Sequence, residues 1–347
     1  MKKLLFVAPV AGLMLLSCQI NSDLGPDGFN SDNSNWGEVT FALDGRNDDN
    51  DSPGTRSTTQ AAESAINSLQ ILVFNSSNNL VSYASANAST VSASVPIGVG
   101  GHSVYAAVNV STDLSSCSSP SALTSTVSYL KDNTSAGLQM VGSKSNLTFT
   151  RGGDVRIDVT RFASRVEIDE ITCAFTAAAF TSQEFKITGI YLINVNGACP
   201  FSQTVTTGTW FNQLGYVSGD CNNMISEKFS TPIVLQTSAG AVTAHSTPHY
   251  FYCYPNPTST DTHGGSFSPR YTRLVVETTL GTKTYYYPID IVGTSNIISP
   301  NTAFTVTKLT ITGPGVDNPD DKLDQGSINF SLKIKDWATG FSKQVNY

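Results

Sequence analysis

Apolar residues recur at every second position along much of this chain. In the stretch from Val39 to Leu43, the large apolar residues Val39, Phe41 and Leu43 alternate with smaller or more polar ones, and Leu69–Phe74 is a nearly continuous apolar run. Side chains of a strand point alternately to opposite faces, so a period of two predicts strands with a buried face. Turn residues return about every ten positions, a spacing typical of β-sandwiches. The sequence therefore predicts an all-β protein.

Further strands and one short helix are expected from the same kind of pattern. Ser121 is placed to cap a helix over residues 122–131, because Leu123, Val127 and Leu130 recur at helical spacing. The other predicted strands span residues 80–83, 102–109, 156–159, 165–171, 186–194, 250–254, 273–279, 283–291, 303–311 and 327–335.

The chain has 347 residues, which is enough for two ordinary domains. A new alternation starts after residues 160–163, so we predict an N-terminal sandwich over 57–162 and a second over 163–315. Residues 313–322 are rich in Gly, Pro and Asp and predict a hinge before a C-terminal tail, 316–347.

Composition argues against several classes of function. The net charge of −7 provides no basic patch for nucleic acid. The sequence contains no nucleotide-binding glycine pattern and no hydrolase motif, so we predict neither an enzyme nor a cofactor. His245 and His249 lie near Cys253, but Pro248 falls between the two histidines and removes helical spacing, so no metal site is predicted.

Five cysteines follow the N-terminal region, with no C-x-x-C pair among them. Cys199 and Cys221 are spaced to form a disulfide across a loop, which an exported protein permits. Buried free thiols are an equally good interpretation, so the state of all five stays open here. They are Cys117, Cys173, Cys199, Cys221 and Cys253.

The first residues predict export. Lys2 and Lys3 precede an apolar run over 4–16 that is too short for a permanent membrane helix, and Ser17 and Cys18 follow. We therefore predict a signal peptide over 1–17. A cysteine at this boundary resembles the bacterial lipobox, which implies that Cys18 carries lipid (palmitate) and tethers an outer-membrane precursor. The alternative is an ordinary signal peptide that happens to contain this cysteine.

The segment from Asp44 to Gln60 contains no large apolar residue. It cannot contribute to a core, so we expect an exposed loop between two strands, where proteases cut most readily. Arg46 and Arg56 are its two basic residues.

Taken in order, several strings along the chain resemble the fimbrillin (FimA-type) family, the major subunits of type V pili. The resemblance depends on their order and spacing. Besides the lipobox and the arginine-containing loop, they are the strings at 69–75, 104–109, 140–143, 159–166, 308–315, 318–319 and 336–337.

The resemblance implies two transthyretin-like β-sandwich domains and a maturation pathway. An arginine-specific protease would cut after Arg56, thirteen residues before Leu69, with Arg46 as the poorer alternative. The lipidated propeptide 18–56 would leave with its strand, whose apolar face is Val39, Phe41 and Leu43.

The vacated groove would accept the tail of another copy or of a related pilus subunit. The apolar face of the donor strand is Ile328, Phe330, Leu332 and Ile334, and Trp337 is a candidate anchor. The same residues also fit an ordinary last strand of the second domain.

Two functions remain open on the sequence. The first is a stalk subunit of a cell-surface fimbrium that supports adhesion, since the chain has both an arginine loop and a tail, whereas a tip or anchor subunit would lack one of them. The second is a monomeric surface lipoprotein that binds glycan or protein.

Overall fold

The computed structural model describes residues 35–43, 63–204, 209–213, 222–262, 270–337 and 339–346. The strands, in chain order, are β1 Trp36–Leu43, β2 Leu69–Phe74, β3 Leu80–Ala86, β4 Thr90–Pro96, β5 His102–Val108, β6 Val127–Tyr129, β7 Met140–Leu147, β8 Asp154–Ile157, β9 Thr160–Arg161, β10 Ser164–Ile168, β11 Ile171–Cys173, β12 Phe185–Ile193, β13 Val195–Asn196, β14 Ala198–Pro200, β15 Trp210–Phe211, β16 Ser226–Gln236, β17 His249–Cys253, β18 Arg273–Leu280, β19 Lys283–Asp290, β20 Thr302–Ile311, β21 Ile328–Asp336 and β22 Thr339–Asn346. The helices are α1 Pro120–Ser125, α2 Ala178–Thr181 and α3 Asn222–Ile225, with 3-10 turns at Leu130–Asp132, Thr294–Asn296 and Gln325–Ser327.

The first sandwich packs a three-stranded sheet, in the order β4-β1-β8, against a five-stranded sheet, in the order β3-β2-β5-β7-β9. Their facing side chains form one core cluster that contains Val39, Phe41, Ile71 and Val104. This cluster uses only one face of β2. Every residue of that strand is buried, because Leu72 and Phe74 on its other face join a second, larger cluster.

The second sandwich has sheets of the order β17-β10-β20-β21-β22, with β11 beside β20, and β16-β12-β18-β19. Their shared core continues through Phe162 and Ala163 to the outer face of β2. The chain passes from one sandwich to the other at these two residues, since β9 pairs with β7 and β10 pairs with β17 and β20. The all-β sandwich prediction is confirmed; the proposed domain limits stay a prediction.

The predicted helix is shorter than expected and has a different cap. Ser119, not Ser121, accepts a hydrogen bond from the Ala122 amide at 3.2 Å, and Pro120 occupies the first turn, where its missing N–H costs nothing. The helix ends at Ser125 because the following residues form β6, which pairs with β14. This tertiary pairing overrides the helical spacing of Val127.

Candidate strand-exchange groove and C-terminal tail

Strand β1 lies in the middle of its sheet, and both of its edges are paired. It runs antiparallel to β4 and parallel to β8. The Thr40 amide donates to the Gly153 carbonyl at 3.0 Å, and the Gly152 amide donates to the Glu38 carbonyl at 2.9 Å. Removal of β1 would therefore leave two strand edges open at once, which is the arrangement that invites pairing with another strand.

The inner face of β1 consists of the three residues predicted for the released strand. Phe41 is fully buried, Val39 is 1% exposed and Leu43 is 7% exposed. The Phe41 ring meets Phe149 edge to face, with 5.9 Å between ring centroids. The structure thus puts all three in the core of the first sandwich, and their release stays a prediction.

Gly37 begins the same buried face, a residue that the sequence analysis did not single out. A Cβ built on it would lie 2.8 Å from Cγ1 and 3.1 Å from Cδ1 of Ile97, and 3.2 Å from Cγ of Arg151. Ile97 follows directly after β4, and its amide donates to the Asn35 carbonyl at 2.7 Å. The space that β1 occupies, called the groove below, therefore has no room for a side chain at this end. Only a glycine fits there without a shift of its neighbours.

The predicted donor strand lies in its own domain in this structure. Strand β21 pairs antiparallel with β20, and β22 covers its other edge. Ile328 and Leu332 are buried, whereas Phe330 and Ile334 are only partly buried against the core. Backbone pairing and these buried side chains keep the strand in its own domain, so its role as a donor stays a prediction.

Trp337 is 4% exposed and fills its own domain. Its ring stacks on Tyr252, with 6.1 Å between centroids. The guanidinium groups of Arg161 and Arg165 lie 4.6 Å and 5.4 Å from the ring centroid, within reach of cation–π attraction. Residues of β9, β10 and β17 therefore meet on one aromatic ring, which follows directly after β21.

Glu63 reaches the same cluster from the other end of the chain. Its carboxylate pairs with Nη1 of Arg165 at 2.9 Å and accepts a hydrogen bond from the Tyr252 hydroxyl at 2.6 Å. Arg161 donates to the Glu63 carbonyl and, at 3.0 Å, to the Ser64 hydroxyl. Burial raises the pKa of Glu63, although the charge of Arg165 opposes that rise. These contacts fix the chain just downstream of the arginine loop.

The segment expected to act as a hinge, 313–322, is attached to its own domain. The Asp320 carboxylate accepts hydrogen bonds from Arg273 at 2.6 Å and from Arg270 at 3.0 Å, and both arginines are buried. Val316 and Tyr286 exchange two backbone hydrogen bonds of 2.9 Å. In this structure the segment is therefore held against the second sandwich, because the buried arginines need the Asp320 charge beside them, and its role as a hinge stays a prediction.

The histidines considered as metal ligands form a hydrogen-bonded chain. Nε2 of His245 lies 2.8 Å from Nε2 of His249, whose Nδ1 lies 2.7 Å from Glu227. Across the described ranges, no three side chains of the ligating types are grouped to hold a metal ion.

Four of the open cysteines are free thiols in this structure. Cys199 and Cys253 are fully buried and Cys173 nearly so, while Cys117 is half-buried. Burial raises the pKa of Cys199 and of Cys253 to about 12, which suppresses the reactive thiolate. The fifth, Cys221, lies outside the described residues.

Several predicted sites also lie outside the described residues, namely the signal peptide 1–17, Cys18, Arg46 and Arg56. In the part of the chain that is described, no helix is long and apolar enough to cross a membrane.

Comparison with known proteins gives a family model and a set of similar folds. Residues 38–161 match the family model of the major fimbrial subunit protein (FimA). No curated protein matches the chain.

Two solved structures illustrate the fold. One is a candidate cell adhesion protein from Bacteroides eggerthii, with 15% identity, a TM-score of 0.61 and coverage of 87% of this chain and 96% of the other. The second is a fimbrilin (FimA) from Porphyromonas gingivalis, with 14% identity, a TM-score of 0.57 and coverage of 87% and 97%. At these identities the two structures establish a shared fold. Together with the family model, which starts within β1 and ends with β9, the findings confirm the predicted resemblance to the fimbrillin (FimA-type) family over residues 38–161.

Proposed function

We propose that this chain is a stalk subunit of a cell-surface fimbrium, exported as a lipoprotein precursor and polymerised by donor-strand exchange. The lipid on Cys18 anchors the precursor in the outer membrane. An arginine-specific protease then cuts after Arg56, and β1 leaves with the lipid. The β21 region of another copy takes the place of β1, and the resulting filament supports adhesion without any catalytic step.

The observation that carries this proposal is the position of β1. It is the central strand of a three-stranded sheet, yet the sequence that joins it to β2 contains no large apolar residue between Asp44 and Gln60. A single cut in that segment would separate a buried strand from the rest of the sandwich.

The energy of the vacant groove favours a replacement strand. Burial of Val39, Phe41 and Leu43 stabilises the sandwich by about 1.5–3 kcal/mol for each side chain, as an upper bound. The edges of β4 and β8 would also lose their backbone partners. A strand supplied by another copy restores both the apolar burial and the backbone pairing. Because the contact is head to tail, it extends into a filament.

The contacts of Glu63 fit a cut at Arg56, and they fit a cut at Arg46 equally well. Glu63 lies seven positions after Arg56, and it is held by Arg165 and Tyr252 of the second sandwich. The new N-terminal segment would therefore remain attached after the cut, and only the part before it would be free to leave.

We predict that Arg56→Ala leaves the precursor uncut at this loop, still lipidated and unable to polymerise. The full-length chain is treated with an arginine-specific protease, and the products are identified by N-terminal sequencing and by gel ladders without boiling. Arg46→Ala is the matched control and is expected to be processed normally.

Three other outcomes would each correct a different part of the proposal. Normal processing of Arg56→Ala, with loss of processing in Arg46→Ala, would move the cut to Arg46. A wild-type chain that is cut and stays monomeric would contradict polymerisation. Binding of a glycan or protein by that monomer would favour the surface-lipoprotein function.

A further inference from the structure

The segment Gly37–Leu43 has a close counterpart near the other end of the chain. Its sequence, Gly-Glu-Val-Thr-Phe-Ala-Leu, shares the pattern Gly-x-Val/Ile-x-Phe-x-Leu with residues 326–332, Gly-Ser-Ile-Asn-Phe-Ser-Leu. The pattern occurs at these two places and nowhere else in the 347 residues. The alternation of a strand puts all four patterned positions on one face.

We propose that residues 326–332 enter the groove of the next copy in one defined register, in which Gly326 takes the place of Gly37. Contact with Ile97 fixes this register. This inference rests on the proposed function. In this register, Ile328, Phe330 and Leu332 take the places of Val39, Phe41 and Leu43.

Each of the apolar positions then finds a neighbour of suitable shape. Val39 lies opposite Ala93, Phe41 meets the Phe149 ring, and Leu43 lies opposite Ile157. The incoming side chains are of the same size or differ by one methylene group, so the core volume is preserved.

Of the incoming side chains, Phe330 would gain the most burial from the exchange. In its own domain it is only partly buried, whereas the corresponding Phe41 is fully buried in the groove. Ile334 would fall two positions beyond the place of Leu43, past the end of β1, so it would contribute less than the other three.

The glycine fixes the register because position 37 in the groove has no room for a side chain, whereas position 326 in its own domain has room. At Gly37, an added Cβ would lie 2.8 Å from Ile97, whereas at Gly326 the nearest atom is Oδ1 of Asp324 at 3.7 Å. A larger residue at position 326 is therefore accommodated in its own domain but excluded from the groove of another copy. A slip by one residue would turn the polar face of the strand inward, and a slip by two would bring Ile328 against Ile97.

The test is polymerisation of the full chain after cleavage by an arginine-specific protease, followed by unboiled gels and electron microscopy. We expect Gly326→Val to fold as a monomer with an unchanged melting temperature and to lose polymers. The double variant Gly326→Val/Ile97→Ala should recover them, because Ile97 lies in the other sandwich and can act on position 326 only between copies. Asn329→Val, on the opposite face and in the place of half-buried Thr40, is the control and should polymerise as the wild type does.

Polymers of Gly326→Val at the wild-type level would overturn this register while leaving strand exchange intact. A double variant that fails as completely as the single one would also overturn it, since Ile97 would then not face position 326. Wild-type chain that is cut and forms no polymers would instead overturn the proposed function, and the register with it.

Discussion

Trp337 illustrates how much a single side chain can connect. It touches Tyr252 from β17 and two arginines that flank the crossing from the first sandwich to the second, and both arginines also bind Glu63. The sequence left open whether Trp337 anchors a partner or fills its own domain, because its neighbours come from distant positions. The structure shows it packed in its own domain.

His245 is the residue with a testable dependence on pH. Burial lowers the pKa of His245, the nearby His249 lowers it further, and the charge of Glu227 acts in the opposite direction. With the folded pKa below the unfolded value, the neutral ring is favoured by folding. Its contribution to stability is present above the unfolded pKa and is lost as the pH falls through the folded one.

We therefore predict that His245→Gln makes the melting temperature less sensitive to a fall in pH. Glutamine keeps a polar group near His249 and removes the proton uptake. The measurement is the melting temperature of the uncut chain between about pH 7 and about pH 5, either side of the ordinary histidine pKa. The wild type should fall more steeply than the variant, and parallel slopes would contradict the assignment.

At the scale of elements, β1 followed directly from alternation, and β2 was recognised from its continuous apolar run. β4 was missed, although Val91, Ala93 and Val95 alternate, because small residues give a weak pattern. The helix was overpredicted because pairing of β6 with β14 cannot be read from spacing within one segment. The groove was expected from the family resemblance, but its narrow end at Gly37 and Ile97 depends on contacts between strands.

Phe41→Ala tests whether β1 is a removable element. In the uncut chain we predict a loss of about 3–5 kcal/mol in the free energy of unfolding, because the ring is fully buried. After the cut and departure of β1, variant and wild type are the same molecule and should melt at the same temperature. Glu38→Ala, on the exposed face, is the control and should have little effect in either form.

A difference that persists after the cut would mean that β1 remains bound. That result would leave the groove filled and would contradict release of the strand.

At the scale of the whole molecule, deletion of the tail is a poor test of assembly. Strand β21 pairs with β20, and its Leu332 and the following Trp337 are buried in the second sandwich. Removal of residues 327–347 would therefore damage the domain as well as the filament. Substitutions that are neutral in the monomer, such as the change at Gly326, separate the two effects.

The class of fold could be predicted from the sequence because alternation is local. The placement of the tail could not be predicted, because an alternating strand fits two places equally well. One is the edge of β20 in its own domain, where the structure puts it. The other, under the proposed exchange, is the space that β1 would leave in another copy.

A disulfide between copies would show whether residues 326–332 replace β1 in another copy. Thr40 and Ser92 side chains meet across β1 and β4, with 3.2 Å between their hydroxyl oxygens. Asn329 would take the place of Thr40, whereas in its own domain it pairs with Thr310. The measurement is a non-reducing gel of the full chain carrying Ser92→Cys and Asn329→Cys, before and after the arginine-specific cut.

We expect no cross-link before the cut and a reducible ladder of oligomers after it, with neither single variant forming the ladder. A ladder that is already present before the cut, or polymers that form after it without a cross-link, would rule out this replacement of β1.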